Sequence, residues 1–489
     1  MIDKKIHKMA FVDPYGKNIK NVKNFIYKIV DELLKRISNA EKLPPLPKKV
    51  KNIDKLNLND LPITETQILK QIRFIIDNSM NASNPYYLGH MDSLPTTMSI
   101  VGDIICSMIN NNMLSKETAP ILTEIEKKVI SNLAKKFNLG EDSGGVMLAG
   151  GSLSNIQAIA LARNRILGSF EKGLMGLKRK PYIFASKESH TSIQKAAMVL
   201  GLGRNSVVSI ETDKNGKMKI SNLDKLIKEK IKDSGFPFCI VATAGTTITG
   251  SIDNLNEISK IADKYKMWLH TDAVYGGALI FSDKFRNKLD GIEKSDSISF
   301  NPQKWLHITK TCSVLLLKNK KYLYSDFYIP LPYVMKDKDE YHPGEITLQG
   351  TRYPDILKLW LSLQHLGNFS YSEIINNSYK FTNLFKKKLL EINNVKIACE
   401  PEMNIICFRY ELRNKSLIEN NLINLNLQKF LFKNYNIFFS VLEYNDCKWL
   451  RAVLLNPFFN TKHIKKICLA ISKFSSKENK ILKSMKIND

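Results

Sequence analysis

No stretch of the chain reaches the roughly 18 consecutive apolar residues that a membrane-spanning helix needs. The basic start, Met1 to Lys8, is not followed by the apolar block of a secretory signal. Cysteine is sparse and scattered. Cys106, Cys239, Cys312, Cys399, Cys407, Cys447 and Cys468 form no CxxC pair and no short metal-ligand spacing. That pattern excludes a disulfide framework, offers no metal site, and is the usage expected of reduced thiols in the cytoplasm. No internal repeat is present, so a solenoid is excluded as well. A soluble cytoplasmic protein without a membrane partner is the expectation.

Acidic residues are in deficit, 47 against 73 basic ones, giving a formal charge of +26. Such a balance can attract nucleic acid, anionic membrane or acidic metabolites. The lysines, however, are dispersed among Ile and Asn, as from Lys17 to Lys28 and from Lys386 to Ile397, rather than gathered into one stripe. A solvated lysine-rich surface with no specific nucleic-acid partner is expected. With 44% hydrophobic and 25% charged residues the composition is that of a folded globular chain. The 489 residues allow a large core and more than one domain.

The hydrophobic pattern then divides the chain. Residues 18 to 38 carry a helical apolar stripe through Ile19, Val22, Phe25, Ile26, Ile29, Val30, Leu33 and Leu34, followed by the proline-rich break Leu43 to Pro47. Helical patterns recur from Ile100 to Met108 and from Ile121 to Leu133. Six apolar strands come next, at Gly145–Ala149, Tyr182–Ala185, Ser206–Ile210, Phe238–Ala242, Met267–His270 and Val314–Leu317, many of them separated by helical stretches. Continuous apolar strands alternating with helices predict a mostly parallel sheet covered on both faces, with ligands at the carboxyl ends of its strands. Beyond Arg352 a helix from Ile356 to Leu366, alternating segments at Ile405–Tyr410 and Leu450–Leu454, and a basic helix after Thr461 predict a smaller α+β unit. The expected division is an N-terminal helical segment over 1–96, a large domain over 97–355 and a small C-terminal domain over 356–489.

Chemistry-bearing residues cluster just after those strands. Gly150-Gly151-Ser152-Leu153-Ser154-Asn155 opens a helix, a setting that suits an anion, although Ser154 also reads as an ordinary cap. His190 can lie on an aromatic ring or act as acid or base, or simply close a turn. Thr246 and Thr247 place hydroxyls at the same sheet edge. Asp272, in His270-Thr271-Asp272-Ala273, is either a turn aspartate or a carboxylate able to hold a pyridinium nitrogen protonated. Lys304 stands between the polar, turn-forming segment Ser297 to Asn301 and the apolar Trp305 and Leu306. Apolar surroundings lower an amine pKa and free it for imine formation.

In order, Gly151 to Asn155, His190, Gly245-Thr246-Thr247, His270 to Gly277, Asn301-Pro302-Gln303-Lys304-Trp305-Leu306 and Gln349-Gly350-Thr351-Arg352 resemble the group II pyridoxal-phosphate amino-acid decarboxylases, over roughly residues 80 to 460. The resemblance implies an α/β architecture of the fold type I pyridoxal-phosphate transferases, with a mostly parallel seven-stranded sheet, and a homodimer. It implies pyridoxal 5'-phosphate bound covalently to Lys304, His190 stacked on the ring, and Asp272 at the pyridine nitrogen. Ser152, Leu153, Ser154 and Asn301 would surround the phosphate, with Thr247 and Ala273 lining the ring. Ser93, in Gly89 to Thr96, and Arg451 match substrate-side positions, and that segment is expected to help build active sites shared across the dimer. The resemblance also implies a loop tyrosine that reprotonates the substrate carbon, for which Tyr333 fits best and Tyr341 is the substitute; a packing role for Tyr333 is the alternative.

Two departures stand out. The family's usual His before the lysine is Gln303 here, an amide that cannot exchange protons, and the usual Val before the aspartate is Thr271. The implied activity is decarboxylation of a small L-amino acid at C1 to an amine. Alternatives are a carbon–carbon lyase or a decarboxylating aldehyde synthase on the same fold, and a non-enzymatic basic scaffold.

Overall fold

Alternation of apolar strands and amphipathic helices is realised as one large α/β layer and one small antiparallel layer. The structure, a computed structural model, describes residues 7–47, 49–50, 53–334 and 341–485. Helices α1 (Ile19–Ser38) and α2 (Glu65–Asp77) lead to α3 (Thr97–Ile109) and α4 (Pro120–Lys136). The large layer then runs β1 (Gly144–Leu148), α5 (Gly151–Leu167), β2 (Pro181–Ser186), α6 (Ser192–Val199), β3 (Val207–Ile210), α7 (Ile220–Lys232), β4 (Phe236–Thr243), α8 (Leu255–Tyr265), β5 (Trp268–Asp272), β6 (Ser297–Phe300) and β7 (Ser313–Leu317). After the short α9 (Lys321–Ser325) comes α10 (Asp355–Leu390), broken at Gly367. The small layer contains β8 (Val395–Ile397), β9 (Ile405–Tyr410), α11 (Leu417–Tyr435), β10 (Ser440–Tyr444), β11 (Cys447–Val453) and α12 (Thr461–Met485).

The seven strands lie in the order β1-β7-β6-β5-β4-β2-β3, and β7 alone runs against the others. Register aligns the strand ends that matter: Thr243 of β4 faces Asp272 of β5, which faces Ser299 of β6. Three catalytic-edge positions are thereby fixed by backbone ladders rather than by loops.

Strand β6 corrects the expectation of a turn-forming segment at Ser297 to Phe300. All four residues are buried. Ile298 and Phe300 enter the main core, while the alternate serines face polar partners: Ser297 Oγ receives Trp268 Nε1–H at 2.9 Å. A two-residue period carried by serine hides a buried strand from an apolar count.

The second sheet, β10-β11-β9-β8, is antiparallel and packs with α11 and α12 around its own core. Residues 86–89 are laced onto it, with Phe438 N–H donating to Tyr86 O, Leu88 N–H to Phe438 O and Val453 N–H to Leu88 O, all at 2.8–2.9 Å. Only glycine suits position 89, where a Cβ would sit 2.3 Å from the Phe438 ring and 2.8 Å from Ser440 N. This lacing carries residues 89 to 96 across to the carboxyl edge of the large sheet. Helix α1, by contrast, buries none of its residues. No helix among the described residues is long and apolar enough to cross a membrane.

Candidate active site

A cavity of about 290 Å³ opens at the carboxyl edge of β4, β5 and β6, lined by Gly151, Ser152, Asn155, His190, Thr243, Thr247, Asp272, Asn301, Gln303 and Lys304 among others. Its floor is built first. Strand β5 delivers Asp272, 6% exposed, whose Oδ2 accepts from Asn155 Nδ2 at 2.8 Å and whose Oδ1 accepts from Val274 N–H at 3.2 Å. Both bonds favour the charged form.

Lys304 follows the Asn301-Pro302-Gln303 turn, closed by Lys304 N–H donating to Asn301 O at 3.1 Å. Trp305 and Leu306 behind it are fully buried, and Trp305 stacks on Tyr275 with centroids 5.2 Å apart. Burial holds the Lys304 amine below its ordinary pKa; Asp272 opposes this, and Arg451 reinforces it. A lysine with a lowered pKa is a nucleophile near neutral pH.

His190 stands at the cavity mouth. Its Nδ1 accepts from Ser192 N–H at 3.2 Å and lies 2.8 Å from Ser192 Oγ. Burial, followed by the opposing pull of Asp272 and the repulsion of Lys304 and Lys195, holds the imidazole below its ordinary pKa. The Nδ1 that accepts the Ser192 N–H carries no proton, which holds the ring in its neutral form.

At the other end, α5 points its N-terminus into the cavity, an arrangement that favours an anion. A Cβ on Gly151 would meet Val274 at 2.8 Å and Asn301 at 3.0 Å, so glycine keeps that cradle open. Asn301, oriented with its oxygen toward α5, accepts from Gly151 N–H at 3.1 Å. Thr243 Oγ1 is buried and unpaired on the cavity wall, a polar atom awaiting a partner. An amine, a bound carboxylate, a neutral imidazole and an anion cradle in one cavity fit a phosphorylated pyridine aldehyde.

Ser152, Thr247, Asp272, Asn301, His190 and Lys304 are therefore brought together. Leu153, Ser154 and Ala273 are not part of the lining. The Leu153 and Ser154 amides both donate to Gly150 O, and Ser154 Oγ is buried against Ser313 Oγ at 2.6 Å. Ala273 is fully buried in the core. The helix that opens at Gly151 turns residues 153 and 154 away from the cavity.

On the substrate side, Ser93 Oγ donates to Gln303 O at 3.3 Å, and Lys304 Nζ lies 3.7 Å from Met91 Sδ. The segment from Gly89 to Thr96 thus borders the lysine of its own protomer. Arg451 lies beneath it: Nε and Nη2 donate to Gly89 O at 3.3 and 2.8 Å, Nη1 to Thr247 O, and Nη2 lies 3.2 Å from His90 Nδ1. Most of its donors are spent on the backbone. Gln303 presents its side chain to the cavity with Oε1 accepting from Cys312 N–H at 2.6 Å, which turns the amide NH2 the other way.

Neither loop tyrosine reaches the cavity of its own protomer. Tyr333 is 71% exposed. Tyr341 donates to Glu126 Oε1 at 3.1 Å, beside the buried Glu126–Arg352 pair. Residues 335–340, including the charged stretch from Lys336, lie outside the described residues. Asn155 and Thr243 also line the cavity without having been singled out as site residues from sequence, and Gln303, noted from sequence only as a departure, lines it too. Asn155 stood within the quoted motif, but its contact with Asp272 joins positions 117 residues apart.

The model of the pyridoxal-dependent decarboxylase conserved domain matches residues 47–411. The acidic amino acid decarboxylase GADL1 of Mus musculus is 31% identical over 370 residues, covering 74% of this chain and 67% of the relative. The cysteine sulfinic acid decarboxylase of Rattus norvegicus is 31% identical over 390 residues, 78% of each chain. Among solved structures, mouse CSAD in apo form superposes with a TM-score of 0.88 at 26% identity, over 94% of this chain and 99% of that one.

Proposed function

The chain belongs to the pyridoxal-dependent decarboxylase family and is a pyridoxal-phosphate-dependent amino-acid decarboxylase; we propose that its substrate is a small acidic L-amino acid that loses its C1 carboxyl group in the cavity around Lys304. The observation that carries the site assignment is the presence in one cavity of a lysine held below its ordinary pKa and an aspartate clamped by Asn155 and Val274. Acidic specificity is supported by the relatives, which by name act on acidic amino acids and cysteine sulfinic acid. The local charge agrees, because Lys310 and Asp92 pair with one another and leave Arg451 as the further positive charge felt at Lys304.

Lys304 would hold the cofactor's carbonyl carbon, Asp272 its ring nitrogen, and Gly151, Ser152 and Asn301 at the start of α5 its phosphate. Bound there, pyridoxal phosphate supplies a sink for the electron pair left on the substrate carbon when carbon dioxide departs. Asp272 stabilises the positive charge on that nitrogen and therefore the sink. His190, neutral with its Nδ1 occupied by Ser192, would lie over the ring. Gln303 offers an amide N–H to a carboxylate without a proton to lose. The strap from Gly89 to Ser93, clamped by Arg451, closes the substrate side and limits water.

Proton return to the substrate carbon is assigned to Tyr333, working in the cavity of a partner protomer. Its 71% exposure supports a role outside its own subunit, and the tie of Tyr341 to Glu126 argues against the alternative. A homodimer is supported by α1, which leaves Ile19, Tyr27, Leu33, Leu34 and Ile37 exposed on a helix that buries nothing. An apolar face of that size calls for a partner surface, and closed two-fold pairing is the commonest solution. Seven unpaired cysteines support work in the reducing cytoplasm.

The test is to supply the holoenzyme with glutamate, aspartate, cysteine sulfinate, 2,4-diaminobutyrate and tyrosine, measuring carbon dioxide, amine and aldehyde. Amine and carbon dioxide in equal amounts from an acidic member are expected. Aldehyde as the main product, or turnover confined to tyrosine, rejects this reading.

A further inference from the structure

Behind the cavity wall runs a chain of hydrogen bonds whose every direction is determined. At one end, His190 Nδ1 accepts the Ser192 N–H and so carries no proton; the Ser192 hydroxyl donates to it and accepts from Asn155 Nδ2, which fixes the amide and presents Nδ2 to Asp272 Oδ2 at 2.8 Å. That orientation leaves Asn155 Oδ1 facing His270 Nε2 at 3.1 Å, which must carry the proton, while Ser299 Oγ lies farther off at 3.4 Å. A neutral His270 then accepts at Nδ1 from Ser297 Oγ, at 2.9 Å. At the far end, Trp268 Nε1–H can only donate, and it donates to Ser297 Oγ at 2.9 Å, so the serine proton is left for His270. The tryptophan end leaves Ser297 able to donate, as the direction set from Asn155 requires.

The second amide hydrogen of Asn155 goes to Ser192 Oγ at 2.9 Å. The hydroxyl hydrogen is thereby directed to His190 Nδ1, at 2.8 Å, which also receives the Ser192 amide. A nitrogen that accepts two hydrogen bonds carries no proton. The proton of His190 is on Nε2, which makes no hydrogen bond among the described residues and belongs to the edge left for the cavity.

We propose that Asn155 is the positioning residue of this active site: through its two amide hydrogens it holds Asp272 as a carboxylate and, by way of Ser192, fixes His190 as the neutral Nε2–H tautomer. Protonating Nδ1 would set one N–H against another, so His190 is also barred from becoming an imidazolium without breaking the Ser192 bonds. The burial of the relay supports this fixity: Asn155 is 1% exposed, Ser192, His270 and Ser297 0% and Trp268 3%. His270, facing only Asp272 among charged groups, has its pKa pushed down to about 4 by burial and stays neutral. His190 faces Asp272, Lys304 and Lys195, whose opposed effects leave the tautomer to the hydrogen bonds.

Nuclear magnetic resonance of the full chain labelled with 15N-histidine reads the tautomer directly, with His190→Gln identifying the signal. A non-protonated Nδ1 and a protonated Nε2 are expected, unchanged across neutral pH. Ser192→Ala leaves the backbone N–H of residue 192 as the one remaining donor to Nδ1, so a minor Nδ1–H population and an upward shift of about one pH unit in the ring's titration are expected, whereas Ser192→Thr restores the parent pattern. Asn155→Asp sets a second carboxylate against Asp272, so the pair shares a proton. The pH midpoint of the holoenzyme's cofactor absorbance should then move by about one unit or more. A proton on Nδ1 in the parent, an unaltered ring in Ser192→Ala, or an unmoved absorbance midpoint in a folded Asn155→Asp overturns the proposal. If Asn155→Asp does not fold, the Ser192 pair of variants decides. The absorbance arm rests on the reading of this cavity as a cofactor site and the nitrogen arm does not, so the two failures are distinguishable.

Discussion

Asp272 and Tyr333 are both chemically pointed residues, and their surroundings are opposite. Asp272 ends a central strand, 6% exposed, held by two donors and backed by the Trp268–Asn155 relay. Tyr333 stands in a loop, 71% exposed. The residues proposed for the electron sink are packed inside the protomer, while the residue proposed for proton return is exposed on its surface. Preorganisation is worth most where charge is to be stabilised, and mobility is tolerable where one proton is delivered. On the proposed reading, in which Tyr333 serves a partner's cavity, the difference would leave each protomer with most of an active site and a second copy to finish the reaction.

Breaking the rigid side should cost most. Lys304→Ala removes the covalent anchor and is expected to lower amine formation by on the order of 10³-fold or more, and Asp272→Asn by about 10²- to 10³-fold at saturating cofactor. Steady-state assays of carbon dioxide and amine measure both, and borohydride reduction followed by peptide mapping should place the cofactor on Lys304. A pyridoxyl group on another lysine would falsify the assignment.

The exposed side should respond differently in kind. Tyr333→Phe keeps the ring and deletes the proton, so amine formation should fall about 10²-fold while carbon dioxide release persists and aldehyde appears in its place. Mixing chains sharpens the contrast. A Lys304→Ala chain paired with a Tyr333→Phe chain should recover activity, because one of its two cavities has its own lysine and a partner's tyrosine. A Lys304→Ala chain paired with a Ser93→Ala chain should not, since Ser93 lies against Gln303 of the same protomer. Equal recovery in both mixtures would remove the distinction.

The same contrast marks what can be read from sequence. Residues whose partners are neighbours in the strand order, such as Asp272 and Lys304, are legible from strand-end position and apolar context. Helices α2 and α11 carry capping boxes at Thr64–Gln67 and Ser416–Glu419, a local signal legible in the sequence itself. Strand β6 escaped because its serines are buried only through Trp268 and His270 of the neighbouring strand. Leu153, Ser154 and Ala273 follow from motif matching, but helical geometry and core packing turn them from the cavity. Asn155 shows the limit most clearly, since its importance exists only once α5, α6 and β5 are assembled. The apolar stripe of α1 was readable and its covering surface was not, because a stripe names no partner.

The smallest effect belongs to stability, again on the rigid side. Asp253 clamps the end of β4, its Oδ2 accepting from Thr243 N–H at 2.8 Å and its Oδ1 from Met218 N–H at 2.7 Å. Burial raises its pKa from 3.8 to about 6 in spite of those bonds. A carboxyl with a raised folded pKa favours the fold while protonated: the contribution is fully present below the unfolded value and is lost as pH rises through the folded one. Stability from this group should therefore decline between about pH 4 and pH 6 and stay level above, by on the order of 3 kcal/mol. Asn at this position does not titrate, so urea-unfolding midpoints of Asp253→Asn should lack that part of the slope. The variant also presents an amide where two backbone donors need acceptors, so its midpoint should lie below the parent's throughout. Parallel pH curves for parent and variant would show that Asp253 does not titrate in this window and that the Thr243 anchor is insensitive to protonation.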